Sequence, residues 1–474
     1  GAINLFPWRP SAYNGTPDWQ GRILYRGATA DKGHGGRMQV SGNPSAYLGL
    51  TGGLTRKDIG DLSGGKHVGR QEKTGYDAQD ADLNAILRTG ENSELQLGFQ
   101  RSRLDDVWRA HRTIYGLEWH GTSRGDDLVH RFDHERDLGY ARLRLNFPGA
   151  PIDELQVTAS RQVQPEDRYR VRPAAVADRQ GFRVETWGAT FQLHSATPLG
   201  RWVYGADYYQ DRVDAYARAY PVAGSPAYQA KQPPVADNAT YRTLGLFVQN
   251  TFATLGDKLE IVPGLRYSHS RARAADVADS SSGQRVDLDS SWDALVGSLR
   301  VLYALSENRR QVLFAGVSQG FRAPNLSDLT RFDSARSGEV ETPATDLDSE
   351  DYLAFEAGLK LGFERLDTRI SLHHTRIDGM IVRTPTGRLI ANEPEVTKRN
   401  AGDGYVQGLD GLLEYDLGAG WSAWLSGSWM YGRVDSYPEA DSDRERDYLS
   451  RLMPPTAGAG LCWSDKHERW WAAI

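Results

Sequence analysis

Residues 352–364 read Tyr-Leu-Ala-Phe-Glu-Ala-Gly-Leu-Lys-Leu-Gly-Phe-Glu. From 353 to 363, every odd-numbered position holds leucine, phenylalanine or alanine. The even-numbered positions from 354 to 364 hold glutamate, lysine, glycine and one alanine. Because successive side chains of a β-strand point to opposite faces, this stretch predicts a strand with one apolar and one wet face.

The same alternation recurs along the whole chain. Leu95, Leu97 and Phe99 alternate with glutamine and glycine. Further examples lie near 48–54, 143–147, 202–206 and 409–417. About 19 such segments lie between Trp19 and Ile474, and no stretch of about 15 residues shows a helical repeat. The chain is therefore predicted to be all-β.

The connections between these segments alternate between short and long. The short ones lie near 43–44, 89–92, 148–151, 196–200, 254–257, 306–309, 364–365, 418–420 and 465–466. The long ones lie near 58–75, 106–131, 167–180, 215–238, 273–288, 323–350, 385–400 and 435–450, preceded by one short member at 31–36. An antiparallel meander places successive connections at opposite ends, so all long loops share one end. This rhythm predicts a large antiparallel transmembrane β-barrel.

Composition excludes several classes of protein. The 474 residues include 56 Lys and Arg against 62 Asp and Glu, a net charge of −6, which gives no reason to expect a nucleic-acid partner. The lone Cys462 excludes an intrachain disulfide and a cysteine-based metal site. No apolar run is long enough for a membrane-spanning helix, which needs about 18 residues. No nucleophile–base pair or phosphate loop is visible, so we predict no enzyme activity and no cofactor.

One strand ends in the run Gly320, Phe321, Arg322, Ala323 and Pro324. Proline lacks an N–H group and biases the preceding residue toward an extended conformation, which suits the end of a strand. We therefore interpret this run as structural, with direct ligand contact as the alternative.

This run resembles a signature of the TonB-dependent outer-membrane receptors. Three further stretches resemble that family in the same order: 245–250 with 264–267, 347–360, and 400–410. The resemblance implies a barrel of the 22-stranded type, with about 19 strands present, in the outer membrane of a Gram-negative bacterium. It also implies active import of a scarce, bulky ligand, powered through the TonB-ExbB-ExbD system. Ferric siderophores are the commonest ligands of the family, followed by haem, cobalamin and glycans.

The resemblance also predicts the domain organisation. Residues 1–5 resemble the last strand of the family's plug domain, so 1–18 are predicted to be a plug remnant and linker, and 19–474 the barrel domain. The rest of the plug and the segment that TonB grasps are not in this sequence. Because bacterial barrels use an even strand number, we expect the barrel to be truncated at its C-terminal end. We also expect a gap or a strained closure between 19–31 and 467–474.

Ligand contacts are expected among aromatic side chains of the long loops, because rigid rings suit capture sites. The candidates are Trp108, Trp119, Tyr169, Tyr216, Tyr220 and Phe332.

No metal site is predicted. His373 and His374 are adjacent on a strand, so they point to opposite faces and cannot chelate one ion. The acidic stretch 435–447 suits either Ca²⁺ or a solvated loop. Four histidines lie in or beside one long loop: His111, His120, His130 and His134. They leave a haem receptor as an alternative interpretation.

Other readings and the orientation follow from the same features. A passive porin shares the barrel wall, and a soluble β-rich binding protein shares the alternation. In the family, the plug ends in the periplasm, so the loops at 106–131, 215–238 and 323–350 are expected outside the cell. The likeness further implies a monomer surrounded by outer-membrane lipid.

Overall fold

The computed structural model describes residues 18–118, 123–278, 284–334, 339–390, 392–467 and 469–474. Within these residues one sheet of 23 strands accounts for the fold, which confirms the all-β prediction. The strands are β1 (Asp18–Gly27), β2 (His34–Ser45), β3 (Leu48–Ile59), β4 (Tyr76–Gly90), β5 (Ser93–Trp108), β6 (Val129–Asn146), β7 (Glu154–Val171), β8 (Ala177–Thr197), β9 (Gly200–Tyr220), β10 (Gln229–Lys231), β11 (Ala239–Thr254), β12 (Leu259–Ala278), β13 (Arg285–Ala304), β14 (Gln311–Arg322), β15 (Asp333–Ser334), β16 (Val340–Glu341), β17 (Glu350–Gly362), β18 (Leu366–Ile390), β19 (Glu393–Gly418), β20 (Trp421–Ser436), β21 (Glu445–Tyr448), β22 (Thr456–Ser464) and β23 (Trp471–Ala473). The helices are two 3₁₀ turns, Ala110–Arg112 and Pro173–Ala175, and one α-helix, α1 (Leu326–Thr330).

Four of the strands, β10, β15, β16 and β21, are short additions in the long loops. The 19 others pair antiparallel, each with the next along the chain, and form the barrel wall. This is the predicted meander, and its connections place all long loops at one end. We call that end the long-loop end, and the opposite one the short-turn end.

The strand quoted at the start of the sequence analysis behaves as predicted. Phe355 pairs with Val317 of β14 and His374 of β18. Leu359 pairs with Leu313 and Ile370. Directly opposite residues of an antiparallel ladder share a face, so apolar side chains of three strands form one surface.

That apolar surface is the outer face of the barrel. Leu353, Phe355, Leu359 and Leu361 lie on it, whereas Glu356 and Lys360 alternate toward the lumen. The outward leucines Leu295 and Leu372 are largely exposed. By contrast, polar side chains on the concave face, including Asn84 and Gln96, are buried. A wide barrel tolerates a polar interior because side chains do not have to fill it.

Three predicted long loops are wrong. The segments predicted as loops at 167–180, 273–288 and 385–400 are mostly strand. Outside the strands, the structure describes only 172–176 in the first segment, residue 284 in the second and residue 392 in the third. Charged side chains in these segments pair across the strands, as Arg285 does with Asp276 and Arg388 with Glu395. Charged stretches that lack an apolar face can therefore be strands. Here they form hairpins that extend the wall beyond its apolar band.

The two ends of the sheet differ: β1 pairs along ten residues and β23 along three. Asp18–Gly27 pairs with His34–Ser45, and Trp471–Ala473 pairs with β22. No pairing joins β1 to β23 within the described residues. The predicted plug remnant and linker, 1–18, lies outside the described residues except for Asp18, which begins β1, so the domain assignment stays a prediction. In the described part of the chain, no helix is long and apolar enough to span a membrane.

Candidate functional site

The long-loop end contains a helix folded back into the barrel mouth. Helix α1 begins after Asn325, whose side chain accepts a hydrogen bond from the backbone N–H of Asp328 at 2.9 Å. The carboxylate of Asp328 in turn accepts from the Asn325 N–H at 3.2 Å. This reciprocal capping box satisfies donors that a short helix otherwise leaves unpaired.

Apolar side chains hold α1 against the lumen face of the wall. Leu329 is fully buried, and it belongs to one core cluster with Val213, Ala272 and Trp292. The indole N–H of Trp292 donates to the carbonyl oxygen of Leu347 at 2.9 Å. The inner face is therefore apolar here because the 323–349 loop covers it.

Arg322 ties this loop to the wall. Its guanidinium donates two hydrogen bonds to the carboxylate of Glu350 and a third, at 2.7 Å, to that of Asp328. Glu350 is buried and also accepts the backbone N–H of Ile381 at 2.7 Å. The strand-ending run thus supplies a cation that joins β14, α1 and β17.

A second cation completes this network. Lys398 of β19 lies 2.9 Å from Asp328 and 3.2 Å from Glu341. Burial alone raises the pKa of Asp328, but Lys398 and Arg322 outweigh it and hold the pKa below its ordinary value of 3.8. We call Arg322, Asp328, Glu341, Glu350 and Lys398 the loop anchor.

A different cluster lies on the lumen face of β6 to β8. His130, Phe132 and His134 alternate along β6, with ring centroids 5.4 Å and 5.7 Å apart. The Nδ1 atom of His130 lies 2.8 Å from Asp127, and that of His134 lies 3.1 Å from Glu166. A carboxylate at Nδ1 fixes the orientation of an imidazole and leaves its Nε2 atom as the free ring nitrogen.

Arginines adjoin these rings. Asp178 accepts hydrogen bonds from Arg168, Arg170 and Arg172 at 3.0, 2.8 and 3.1 Å. Arg168 pairs with Phe132 across the ladder, and Arg170 pairs with His130. We call His130, Phe132, His134, Arg168, Arg170 and Asp178 the histidine–arginine cluster. Of the three arginines around Asp178, only Arg172 keeps substantial side-chain exposure, 47%, so its guanidinium is the one best placed to meet an anionic ligand.

The candidate aromatic contacts are not brought together on the lumen side. Tyr169 and Tyr216 lie in strands β7 and β9, and the ladder places them on the outer face, with Tyr220 at the end of β9. The guanidinium of Arg131 lies 5.8 Å from the Tyr169 ring, and the Tyr216 hydroxyl donates to Asp167. Their location in loops is therefore wrong, because these hairpins continue as strands.

The other aromatic candidates lie elsewhere. Trp108 ends β5, where its ring packs edge-on against Tyr115 at 6.1 Å and the Lys73 ammonium lies 4.7 Å from its centroid. Phe332 follows α1 and is half-buried. Trp119 falls outside the described residues.

The two adjacent histidines of β18 have different neighbours. His373 lies 3.7 Å from Asp410, whereas His374 stacks on Tyr405 at 5.7 Å, so the pair is divided between different surroundings. Within the described ranges, no group of three or more His, Cys, Asp or Glu is placed to hold a metal ion. That holds for the acidic stretch 435–447 as well.

Sequence reasoning singled out His130 and His134 but missed Phe132 between them and the arginines beside them. A signal was present, because positions 130, 132 and 134 alternate as His, Phe and His. These three residues alternate with charged residues, a pattern that also fits a loop. Glu166, the partner of His134, and Asp178, the partner of the arginines, are distant in sequence. Only the register of β6, β7 and β8 places them side by side.

Comparisons with known proteins agree with this architecture. The family model described as "TonB dependent receptor-like, beta-barrel" matches residues 18–471. No curated protein sequence matches the chain.

Solved structures share the fold at low sequence identity. The copper transporter OprC is 14% identical with a TM-score of 0.77, covering 98% of this chain and 69% of its own. The hemophore receptor HasR of Serratia marcescens, solved with its hemophore HasA and heme, is 16% identical with a TM-score of 0.75, covering 98% of this chain and 73% of that one. The ferric yersiniabactin uptake receptor FyuA of Yersinia pestis is 15% identical with a TM-score of 0.64, covering 96% and 66%.

Proposed function

The chain belongs to the TonB-dependent receptor family, and from this premise we propose that it imports a scarce, bulky ligand across the outer membrane of a Gram-negative bacterium. The imported ligand is a ferric siderophore, and the transport is active, powered through TonB, ExbB and ExbD. The protein acts as a monomer and performs no bond chemistry. The long-loop end faces the outside of the cell.

One observation carries this proposal. The long-loop end contains both the anchored 323–349 loop and a cluster of guanidinium and imidazole groups on the lumen side. The 323–349 loop is anchored in the mouth through Arg322. The histidine–arginine cluster lies on strands β6 to β8 of the same end. A passive porin does not need imidazole and guanidinium groups gathered beside such a fixed loop, so the combination favours a receptor over a passive porin.

The chemistry of the cluster supports an anionic chelate. Arg170 and Arg172 share one carboxylate, that of Asp178, and planar guanidinium groups suit carboxylate-bearing or oxygen-rich ligands. His134 is half-buried, with a side chain that keeps 33% exposure and reaches a ligand in the mouth.

Haem is a second candidate, and the histidines favour it. His130 and His134 flank Phe132 on one face, and a carboxylate accompanies each imidazole at Nδ1. Neutral imidazole is a ligand of haem iron, and Phe132 offers a ring against which a flat macrocycle packs.

Uptake measurements test the proposal. Cells of the producing bacterium, starved of iron, are given a radiolabelled ferric siderophore or haem, with and without the receptor and with and without TonB. We expect saturable uptake of the siderophore that needs both proteins. Uptake of haem alone supports the second candidate, and a flux linear in concentration and indifferent to TonB contradicts active import.

Orientation has its own test. A protease site inserted within residues 221–228, in the loop after β9, is expected to be cut on intact cells. The matched site at 255–258, a short turn, is expected to be protected. The reverse pattern contradicts the proposed orientation and leaves the ligand unaddressed.

A further inference from the structure

Three cationic side chains lie on the lumen face of the wall, close to its short-turn end. Lys360, near the end of β17, is the direct ladder partner of Arg369, near the start of β18. Arg300 lies near the end of β13 and shares the lumen face of Glu356 through the pairs that both residues make with Gly316. All three cationic side chains are exposed, so they face the lumen rather than the packed wall.

The three cations have no carboxylate partner among the described residues. Neither Arg300, Lys360 nor Arg369 forms an ion pair there. The Lys360 ammonium lies 6.0 Å from the centroid of the Phe314 ring. Like charges at directly opposed positions destabilise a ladder, and Lys360 and Arg369 are opposed in this way. An anion bound between them would remove that repulsion.

The three cations line one recess of the lumen wall, with a volume of about 740 Å³. Small-molecule sites commonly have volumes of about 300–1,000 Å³. The Phe314 ring lies in the recess over Gly358, where any side chain would overlap the ring. Ser371, the ladder partner of Gly358 on β18, adds a hydroxyl group. We call this space, between β13 and β18, the lumen recess.

The charge of the lumen recess is positive. Two carboxylates also line it, and one of them, Asp410, lies 3.7 Å from His373. A fourth cation, Arg309, is paired with Glu260 at 2.9 Å. The other carboxylate, Glu356, has Gly316 and His373 as its ladder partners. Apart from these paired groups, three cations therefore share the recess with one carboxylate.

The lumen recess and the histidine–arginine cluster lie toward opposite ends of the lumen. The cluster is on β6 to β8 at the long-loop end, whereas the cations of the recess lie near the short turns. In the proposed orientation, a chelate that enters at the mouth leaves past the short-turn end. The recess therefore lies on the side where an imported chelate leaves the barrel.

We propose that the lumen recess is a second binding site for the imported chelate, and that this chelate is an anion bearing carboxylate groups. Guanidinium groups form paired, charge-assisted hydrogen bonds to carboxylates, and the Lys360 ammonium adds a point charge. The Phe314 ring packs against the apolar part of the chelate. This inference rests on the proposed import function and deepens it, because it names the chemical class of the ligand.

Direct binding is measured by calorimetric titration of the natural full-length receptor, purified in detergent, with citrate as a tricarboxylate probe. In the K360Q/R369Q double variant we expect about tenfold weaker binding of one citrate, because two charged donors are lost. K360R/R369K keeps both charges and is expected to retain most of the binding. R142Q removes another lumen-facing arginine, the ladder partner of Gln96, and is expected to change nothing. Identical titrations of the wild type and K360Q/R369Q overturn the proposal.

Uptake of radiolabelled ferric citrate separates this site from capture at the mouth. In iron-starved cells, K360Q/R369Q is expected to lower the maximal uptake rate about fivefold, while cells that lack TonB capture as much chelate as with the wild type. Uptake restricted to chelates without carboxylates overturns the assigned ligand class.

Two further outcomes distinguish the source of the carboxylates and the underlying function. A wild type that binds no citrate, with a lower thermal unfolding midpoint for K360Q/R369Q, assigns the cations to carboxylates of the plug and overturns the proposal. Citrate binding that needs Lys360 and Arg369, without TonB-dependent uptake of any ferric chelate, contradicts the proposed function and supports the recess as a carboxylate site.

Discussion

The loop anchor and the histidine–arginine cluster lie at the same end of the barrel and use the same kinds of side chain. In the loop anchor, Arg322 and Lys398 face three carboxylates, and every one of these groups binds a partner within the network. In the histidine–arginine cluster, one carboxylate, that of Asp178, faces several guanidinium groups. In the anchor the ions bind one another and fix a loop, whereas in the cluster Arg172 and His134 keep 47% and 33% side-chain exposure and so leave capacity for a ligand.

The two regions also differ in how they meet the wall. The anchor lies beside an apolar contact region in which Leu329 of α1 and Trp292 of the wall belong to one buried cluster. The cluster rests directly on the strands, and its orientation is set by ladder register. Changes in the anchor are therefore expected to alter stability, and changes in the cluster to alter ligand affinity.

The largest expected effect comes from Glu350→Ala in the anchor. The Glu350 side chain is 2% exposed, and its removal leaves Arg322 without its two-bond partner. Because the Arg322 side chain is 39% exposed, the loss is counted in hydrogen bonds: two from Arg322 and one from the Ile381 N–H, at about 1.5–3 kcal/mol for each bond to a charged group. Denaturant unfolding and limited proteolysis of the 323–349 loop measure this loss.

The control for that change is Asp378→Ala. Asp378 pairs with Arg376 at 2.9 Å on the exposed outer face, where such a pair contributes about 0–1 kcal/mol. Equal losses in the two variants contradict the view that the anchor is the stabilising network.

Leu329→Ala is expected to have the next largest effect. Leu329 is completely buried, and truncation of a buried leucine costs about 2–5 kcal/mol through lost burial and a residual cavity. Faster cleavage within 323–349 reports the loosened loop. Leu62→Ala, at an exposed leucine of another long loop, is the matched control and is expected to leave the free energy of unfolding unchanged.

His134→Ala sharpens the comparison from the side of the cluster. We expect about tenfold weaker ligand binding, which corresponds to about 1.4 kcal/mol, with an unchanged free energy of unfolding. Equilibrium binding of the ferric siderophore or haem to the purified receptor measures it. Tyr216→Phe serves as a control on the outer face, and an equal loss there shifts the capture site back to the candidate aromatic residues.

The smallest expected effect is that of pH on the anchor. The folded-state pKa of Asp328 lies below its ordinary value of 3.8, so its stabilising contribution is fully present above that pH and is lost as the pH falls through the folded pKa. The cleavage rate of the 323–349 loop is therefore expected to stay constant from about pH 8 to about pH 5. Lys398→Gln raises the pH at which acid begins to loosen the loop, and an onset independent of Lys398 contradicts this account.

Alternation in the sequence was enough to predict the wall. In 352–364 it assigned each residue of β17 to a face, and the ladder pairs of Phe355 and Leu359 agree. The order of short and long connections likewise predicted the meander. These features are local, because a strand's two faces and the nature of a turn depend on neighbouring residues alone.

The mouth of the barrel was decided by tertiary structure. Arg322 and Glu350 are 28 positions apart, and Lys398 reaches Asp328 across 70. No local pattern reports such partners, and the apolar lumen face under α1 departs from the polar-inward rule only because a distant loop covers it. The length of the hairpins was also hidden, since charged alternation fits a loop and a strand equally well. The register of neighbouring strands resolved that ambiguity, because charges such as Arg388 and Glu395, or Arg285 and Asp276, become partners only in the paired form.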